Sequence, residues 1–191
     1  MVKYKNMLLW GILYSYICLY FLVYLSFIFI IDISHLSYSI ISVLAVLVPF
    51  ILLLVIQRMI LFFSIESIKA QYKKKFVRIT IVGLLTLLFC TVQLGINEYT
   101  SKFHPDKWLG YETDRVYMVD DLLKKHKLVG KSKEEIIQLL GYPTETRNFE
   151  KVTHTLYYLG NERGFIPIDS EWLAFQFDNE DRVVDYKLQK D

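Results

Sequence analysis

Tyr16, Tyr20, Tyr24 and Phe27 recur at spacings of four, four and three, which on a helix sets them along one face. A row of hydroxyls in an apolar stretch serves one of two ends. It lines a groove for a ligand or for a helix of another protein, or it packs against neighbouring helices with its hydroxyls bonded to groups such as Thr80, Thr86, Thr91 or Gln93. A second cluster, Lys73, Lys74, Lys75 and Arg78, carries the charge that draws anionic lipid headgroups, at about 1 kcal/mol per basic residue near a membrane surface. The same charges also retain a segment in the cytoplasm. A basic run this short and this close to apolar spans does not suit nucleic acid.

Other chemistries fail on spacing. Gly130-Lys131-Ser132 looks like the end of a phosphate loop, but the glycine such a loop needs five residues earlier is Lys125. His35, His104, His126 and His154 are scattered without metal-ligand spacing, and both cysteines, Cys18 and Cys90, lie in apolar runs far from the polar half. Tyr16 and Ile17 precede Cys18 where a lipoprotein signal wants small residues. The acidic run Asp178-Asn179-Glu180-Asp181 is too short for an EF-hand, and no serine sits in a nucleophile elbow. The expectation is a chain with no catalytic residues, no metal site and no cofactor.

The elements that must position these residues follow from composition. The 191 residues are 53% hydrophobic, with a mean hydropathy of +0.30, too apolar for a soluble domain of this size. The formal charge of +2 divides unevenly: residues 1–96 hold 8 basic and 2 acidic side chains, and residues 97–191 hold 14 basic and 18 acidic. Asn6 to Ile31 is a 26-residue stretch free of charge, Ile33 to Gln57 is equally free, and so are the 19 residues from Ile79 to Asn97. About 20 apolar residues cross a bilayer core, so three transmembrane helices are predicted, at about 7–31, 36–57 and 78–97. No small-x-small cleavage site follows Ile31, so the first is expected to be a retained anchor. Pro49 is expected to kink the second. No Asp, Glu, Lys or Arg lies deep in a span, which argues against a pump or transporter.

Orientation follows from the basic flanks. Arg58, Lys69, Lys73, Lys74, Lys75 and Arg78 fall between spans two and three, whereas the turn from Asp32 to Ser39 has no basic residue. The positive-inside rule then predicts a multi-pass protein of a bacterial plasma membrane, with its N-terminus cytoplasmic and its C-terminal domain extracytoplasmic.

The polar half is predicted as a linker over 98–112 and an α+β domain over 113–191. An amphipathic helix runs from Thr113 or Asp114 to near Leu128. A second is capped by Ser132 with Glu135 and ends at Gly141, before Pro143. Three strands follow, Val152–Leu159, Glu171–Phe177 and Arg182–Leu188, with Leu173, Phe175, Val184 and Tyr186 facing the core. The predicted fold is thus three transmembrane α-helices plus a two-layer domain of two helices packed on a three-stranded antiparallel meander. The connection from Gly160 to Ser170 carries Arg163, Phe165 and Ile166 on what should be surface. It either binds a partner or folds over the edge of its own core. Trp172, on the far sheet face, is a partner anchor or is covered by that connection.

The run Leu128-Val129-Gly130-Lys131-Ser132-Lys133-Glu134-Glu135-Ile136-Ile137-Gln138-Leu139-Leu140-Gly141-Tyr142-Pro143, with Tyr157-Tyr158-Leu159-Gly160, Leu173-Ala174-Phe175-Gln176-Phe177-Asp178 and Arg182-Val183-Val184, resembles the SmpA/OmlA (BamE-like) domain family. The resemblance covers about residues 115–189. It implies a small envelope-facing domain that binds other proteins and supports assembly of envelope complexes. Members are typically lipoproteins tethered by one lipidated cysteine, whereas this chain has three spans. The function expected is a membrane-anchored, non-catalytic interaction module, an adaptor or assembly factor with an envelope protein as partner. The alternative is a regulatory membrane subunit that senses a ligand or lipid.

Overall fold

The computed structural model describes residues 2–64, 66–149, 152–164 and 166–190, and it divides into two compact units, Met1–Asn97 and Glu98–Asp191. The first is built from helices α1 (Val2–Ile33), α2 (Ile40–Phe63) and α3 (Glu66–Thr100), the last of which runs on into the second unit. Each contains a segment long and apolar enough to cross a membrane: Met7–Ile33, Ile40–Phe63 and Tyr72–Thr100. Their buried positions step by seven, four and seven on α1 (Leu13, Tyr20, Tyr24, Ile31) and by seven, four and three on α2 (Val46, Leu53, Gln57, Ile60). Such a stripe keeps one face of each helix turned to its neighbours, while Ile40, Ile41 and Phe62 point outward.

The helix ends differ from those expected. α2 starts at Ile40 because Ser39 and Ser42 form a capping box, each side chain bonded to the other's backbone N–H. α3 starts at Glu66, so Lys73, Lys74, Lys75 and Arg78 lie within a helix and not in a loop. Hydropathy marks where lipid begins, but Lys, Arg, Ala and Gln are good helix formers and carry the helix beyond it.

In the second unit, α5 (Arg115–Lys125) and α6 (Lys133–Leu140) precede an antiparallel sheet of four strands in sequential order: β1 (Glu145–Phe149), β2 (Val152–Asn161), β3 (Ser170–Phe177) and β4 (Val183–Lys190). The core joins Val119 and Leu122 of α5, Ile136 and Leu140 of α6, and Tyr157, Leu173, Phe175 and Val183 of the sheet. Tyr157 also donates its hydroxyl to the Gly141 carbonyl at 2.9 Å. Burial pushes that phenol up to about 12, so it stays protonated and able to donate.

Three corrections follow. The sheet has four strands, not three, because Glu145–Phe149 pairs along β2 from Glu145 opposite Leu156 to Phe149 opposite Val152. Polar Glu145, Thr146, Arg147 and Asn148 carry no alternation that marks a strand; the backbone ladder supplies what the pattern lacks. A bulge between Gln176 and Phe177 in the β3–β4 register puts Val183, not Val184, in the core, before Tyr186 and Leu188 resume the inward face.

The third correction concerns residues 98–112, which fold instead of linking. α4 (Pro105–Gly110) and a single 3₁₀ turn (Glu112–Asp114) lie there, and Phe103 and Trp108 are buried in the core. Trp108 donates its indole N–H to Leu140 at 3.1 Å. The buried Arg115 guanidinium donates from Nε to the Trp108 carbonyl at 2.8 Å and from one terminal nitrogen to Tyr158 at 3.3 Å. One side chain thus clips α4 and β2 to the start of α5. α5 itself stops at Lys125 and leaves Leu128 to fill the core from the following loop.

Gly160, at φ +124°, lies where a Cβ would stand 2.2 Å from the Thr113 carbonyl oxygen. Both the positive φ and the close approach exclude a side chain. Gly160→Ala is expected to destabilise the second unit by about 3 kcal/mol. Pulse proteolysis of the detergent-solubilised full chain in urea reads this, and an unchanged midpoint would refute the close approach.

Candidate functional site

The aromatic face of α1 is turned inward. Tyr16 donates its hydroxyl to the Pro49 carbonyl at 2.6 Å, Tyr24 to Val46 at 2.5 Å and Tyr20 to Gly83 at 2.7 Å. Tyr20 and Tyr24 are buried, and Phe27 packs at the edge of Tyr24. The acceptors of these three bonds are backbone carbonyls, and Thr86 shares the Gly83 carbonyl with Tyr20. Two of them, Val46 and Pro49, lie on the turn of α2 that Pro49 occupies, where the proline's missing N–H breaks the regular ladder at Ala45. The third depends on Gly83, whose Cβ would lie 3.2 Å from the Tyr20 hydroxyl. Of the two ends open to this face, the geometry fits packing.

The four clustered bases diverge, since successive residues on a helix turn by about 100°. Lys75 sets its ammonium 5.2 Å from the centre of the Trp10 ring, a cation–π contact beside Tyr72 and Phe76. Arg78 joins Ile17, Tyr20 and Gly83 around a small hollow between α1 and α3. Lys74 is exposed. Lys73 lines a groove of about 520 Å³ between α2 and α3, together with Arg58, Gln57, Leu61 and Thr80. An adjoining hollow of about 660 Å³ shares Arg58, Leu61 and Lys73 and adds Lys69 and Phe62. Arg58, Lys69 and Gln57 were not among the expected site residues. Their signal was the near-level placement of Arg58 and Lys73 on the two arms of a hairpin.

In the second unit, Arg163 is committed to the fold. Its terminal nitrogens reach Asp120 at 2.6 Å and Glu171 at 2.7 Å, tying the β2–β3 connection to α5 and to β3. The neck of that connection is closed by the Glu162 N–H on the Asp169 carbonyl at 2.8 Å and by Lys190 on Glu162 at 2.6 Å. Beyond the neck, Ile166 and Ile168 are 63% and 81% exposed. Ile166 therefore does not fold over the core. Ile168 had not been singled out; its place beside Ile166 and Pro167 was the available signal. Phe165 lies outside the described residues. Trp172 is half-buried, its ring edge-on to Tyr158 at 5.2 Å on the sheet face opposite the core.

Among the described residues, no group of three His, Cys, Asp or Glu side chains is placed to hold a metal ion. Comparison of the chain with family models, curated proteins and solved structures finds no match.

Two predictions follow. Arg163→Met leaves the Glu171 carboxylate, 4% exposed, buried without its cation. Since Arg163 itself is about a third exposed, water screens part of the pair, and a loss of about 2 kcal/mol is expected, largely recovered in the Arg163→Met, Glu171→Gln double variant. Urea midpoints of the two variants decide it; no recovery would show that the buried charge is not the cause.

The second concerns Asp121, which accepts from the Phe103 N–H at 2.7 Å and from Lys125 at 2.6 Å. Burial acts to raise its pKa, but these two donors outweigh it and hold the carboxyl below its ordinary value. A depressed folded value contributes stability that is complete above the unfolded value near 4 and is lost as pH falls through the folded one. Asp121→Asn should cost about 1 kcal/mol at pH 7 and flatten the loss below pH 4, read from urea midpoints across pH.

Proposed function

We propose that this protein is a membrane-anchored, non-catalytic interaction module of a bacterial envelope, an adaptor or assembly factor whose C-terminal domain is SmpA/OmlA-like and extracytoplasmic. The observation that carries the reading is the β2–β3 connection, with its neck fixed by Arg163, Glu162 and Lys190 and its apolar Ile166 and Ile168 held in water. Exposing two branched side chains forgoes about 2 kcal/mol each, which a partner's surface recovers. Fixing the neck in advance also lowers the entropy lost on binding.

Two further observations support it. The arginines of the domain that carry buried charge contacts, Arg115 and Arg163, are spent on holding elements together. The segments that carry the family resemblance meet one another: Tyr157 reaches Gly141, and Val183 bonds the loop before α6, its carbonyl accepting from the Gly130 N–H at 2.8 Å and its N–H donating to the Lys131 carbonyl at 2.9 Å. The extracytoplasmic placement rests on the bases of α2 and α3 near the Ser64 turn.

Photo-crosslinking in cells from a probe at Ile168, followed by mass spectrometry, tests both points. One dominant envelope protein exposed outside the cytoplasm is the expected capture, lost when Ile166 is changed to Ser. Capture of cytoplasmic proteins overturns the orientation, and capture of only lipid or the chain itself overturns the adaptor reading in favour of ligand or lipid sensing.

A further inference from the structure

Gln57 is 5% exposed, in the wall of the groove between α2 and α3. Its Oε1 accepts from the Thr80 hydroxyl at 2.9 Å, while its Nε2 finds no partner among the described residues. A buried amide donor left unpaired costs free energy that a bound acceptor removes. Next to it the exposed Arg58 and Lys73 supply positive charge. Among the described residues, no acidic side chain lines the groove or the hollow adjoining it. Along the sequence, Glu66 is the sole acid between Asp32 and Glu98, against six bases. The rest of the groove wall is apolar, with Leu54, Val77 and Ile81 turned outward on helices that qualify as membrane spans.

This pattern has one chemical complement, an anion joined to hydrocarbon. Arg58 lies inside the apolar segment that ends at Phe63, where an uncompensated charge is expensive and a headgroup phosphate within reach offsets that cost. The medium around the outward face of the groove is itself lipid, so the occupant needs no path from water. We propose that the groove between α2 and α3 is a specific site for one anionic phospholipid. The phosphate lies at Arg58 and Lys73, Gln57 Nε2 donates to a phosphate or ester oxygen, and one acyl chain follows Leu54, Val77 and Ile81. The site is narrower than the cluster of Lys73, Lys74, Lys75 and Arg78. Lys74 and Lys75 take no part, since neither lines the groove and Lys75 is held over Trp10.

Native mass spectrometry of the full chain, released from detergent with increasing phosphatidylglycerol or phosphatidylcholine of the same acyl chains, reads the site directly. One phosphatidylglycerol should be retained at least about tenfold more tightly than phosphatidylcholine. The Arg58→Gln, Lys73→Gln variant should abolish that preference, the Gln57→Leu variant should weaken it, and the charge-matched Lys74→Gln, Lys75→Gln variant should leave it intact. Arg58→Lys with Lys73→Arg, which keeps both charges, guards against a variant that merely fails to insert. Equal retention of the two lipids by the unaltered chain overturns the proposal, as does equal loss in the two double Gln variants, which would mean diffuse attraction with no site.

Discussion

Hydrocarbon offers a helix no hydrogen bonds, so polar groups carried into the apolar part of this chain turn to carbonyls of their own helix, as Ser26 and Thr91 do, or to a neighbouring segment. That constraint shapes the first unit. Tyrosine hydroxyls on α1 close on carbonyls of α2 and α3, and Asn97 reaches back with its amide to the Ile31 and Leu36 carbonyls, fastening the α1–α2 turn to α3. Tyr38 does the same for Thr91, over the space left by Gly95. Each contact fixes the rotation of one helix against another, which apolar packing alone leaves loosely specified because lipid competes equally well for a leucine.

The second unit answers the same constraint with charge. Arg115 is buried because α4 and β2 present carbonyls to it, and its guanidinium also lies 5.4 Å from the centre of the Trp108 ring. Glu171 is buried because Arg163 follows it in. Such pairs add little net stability over an apolar core, but breaking one is expensive, so they choose among alternative packings. Here they choose where the segment 98–112 docks and how the β2–β3 connection leaves the sheet. A domain that spends Arg115 and Arg163 on its own fold in this way leaves its exposed apolar groups for recognition, which is why Ile166 and Ile168 weigh more in the proposed adaptor role than the charged residues beside them.

Elements whose signal is local were readable from the residues. The three apolar segments follow from charge-free runs, and the α6 cap follows from Ser132 and Glu135, whose reciprocal bonds are present at 2.8 and 3.2 Å. What could not be read depends on partners distant in sequence. β1 is polar and is a strand only because β2 pairs with it, and the bulge that exchanges Val183 for Val184 is set by the Gly130 and Lys131 backbone bonds to Val183. The segment 98–112 looks like a linker through Pro105 and Gly110, yet Pro105 opens a helical turn and Trp108 is anchored by a carbonyl 32 residues away. The basic cluster was legible as charge but not as geometry. Adjacent lysines on a helix face different neighbours, and only the antiparallel arm of α2 shows that Lys73, with Arg58, borders the groove.

The proposed lipid groove and the proposed adaptor loop place opposite demands on a surface, and the chemistry of the two units differs in the matching sense. A surface that recognises protein from water gains most from apolar groups held rigid, because water is displaced and little entropy is lost. A surface that recognises lipid from within lipid gains nothing from apolar contact, which every acyl chain offers, and must discriminate by charge and hydrogen bonding. The β2–β3 connection has the first character, with isoleucines beyond an ion-paired neck; the α2–α3 groove has the second, with Arg58, Lys73 and the unpaired Gln57 amide set in an otherwise lipid-like wall. Exchanging the two sets of residues would leave each surface without a driving force in its own solvent.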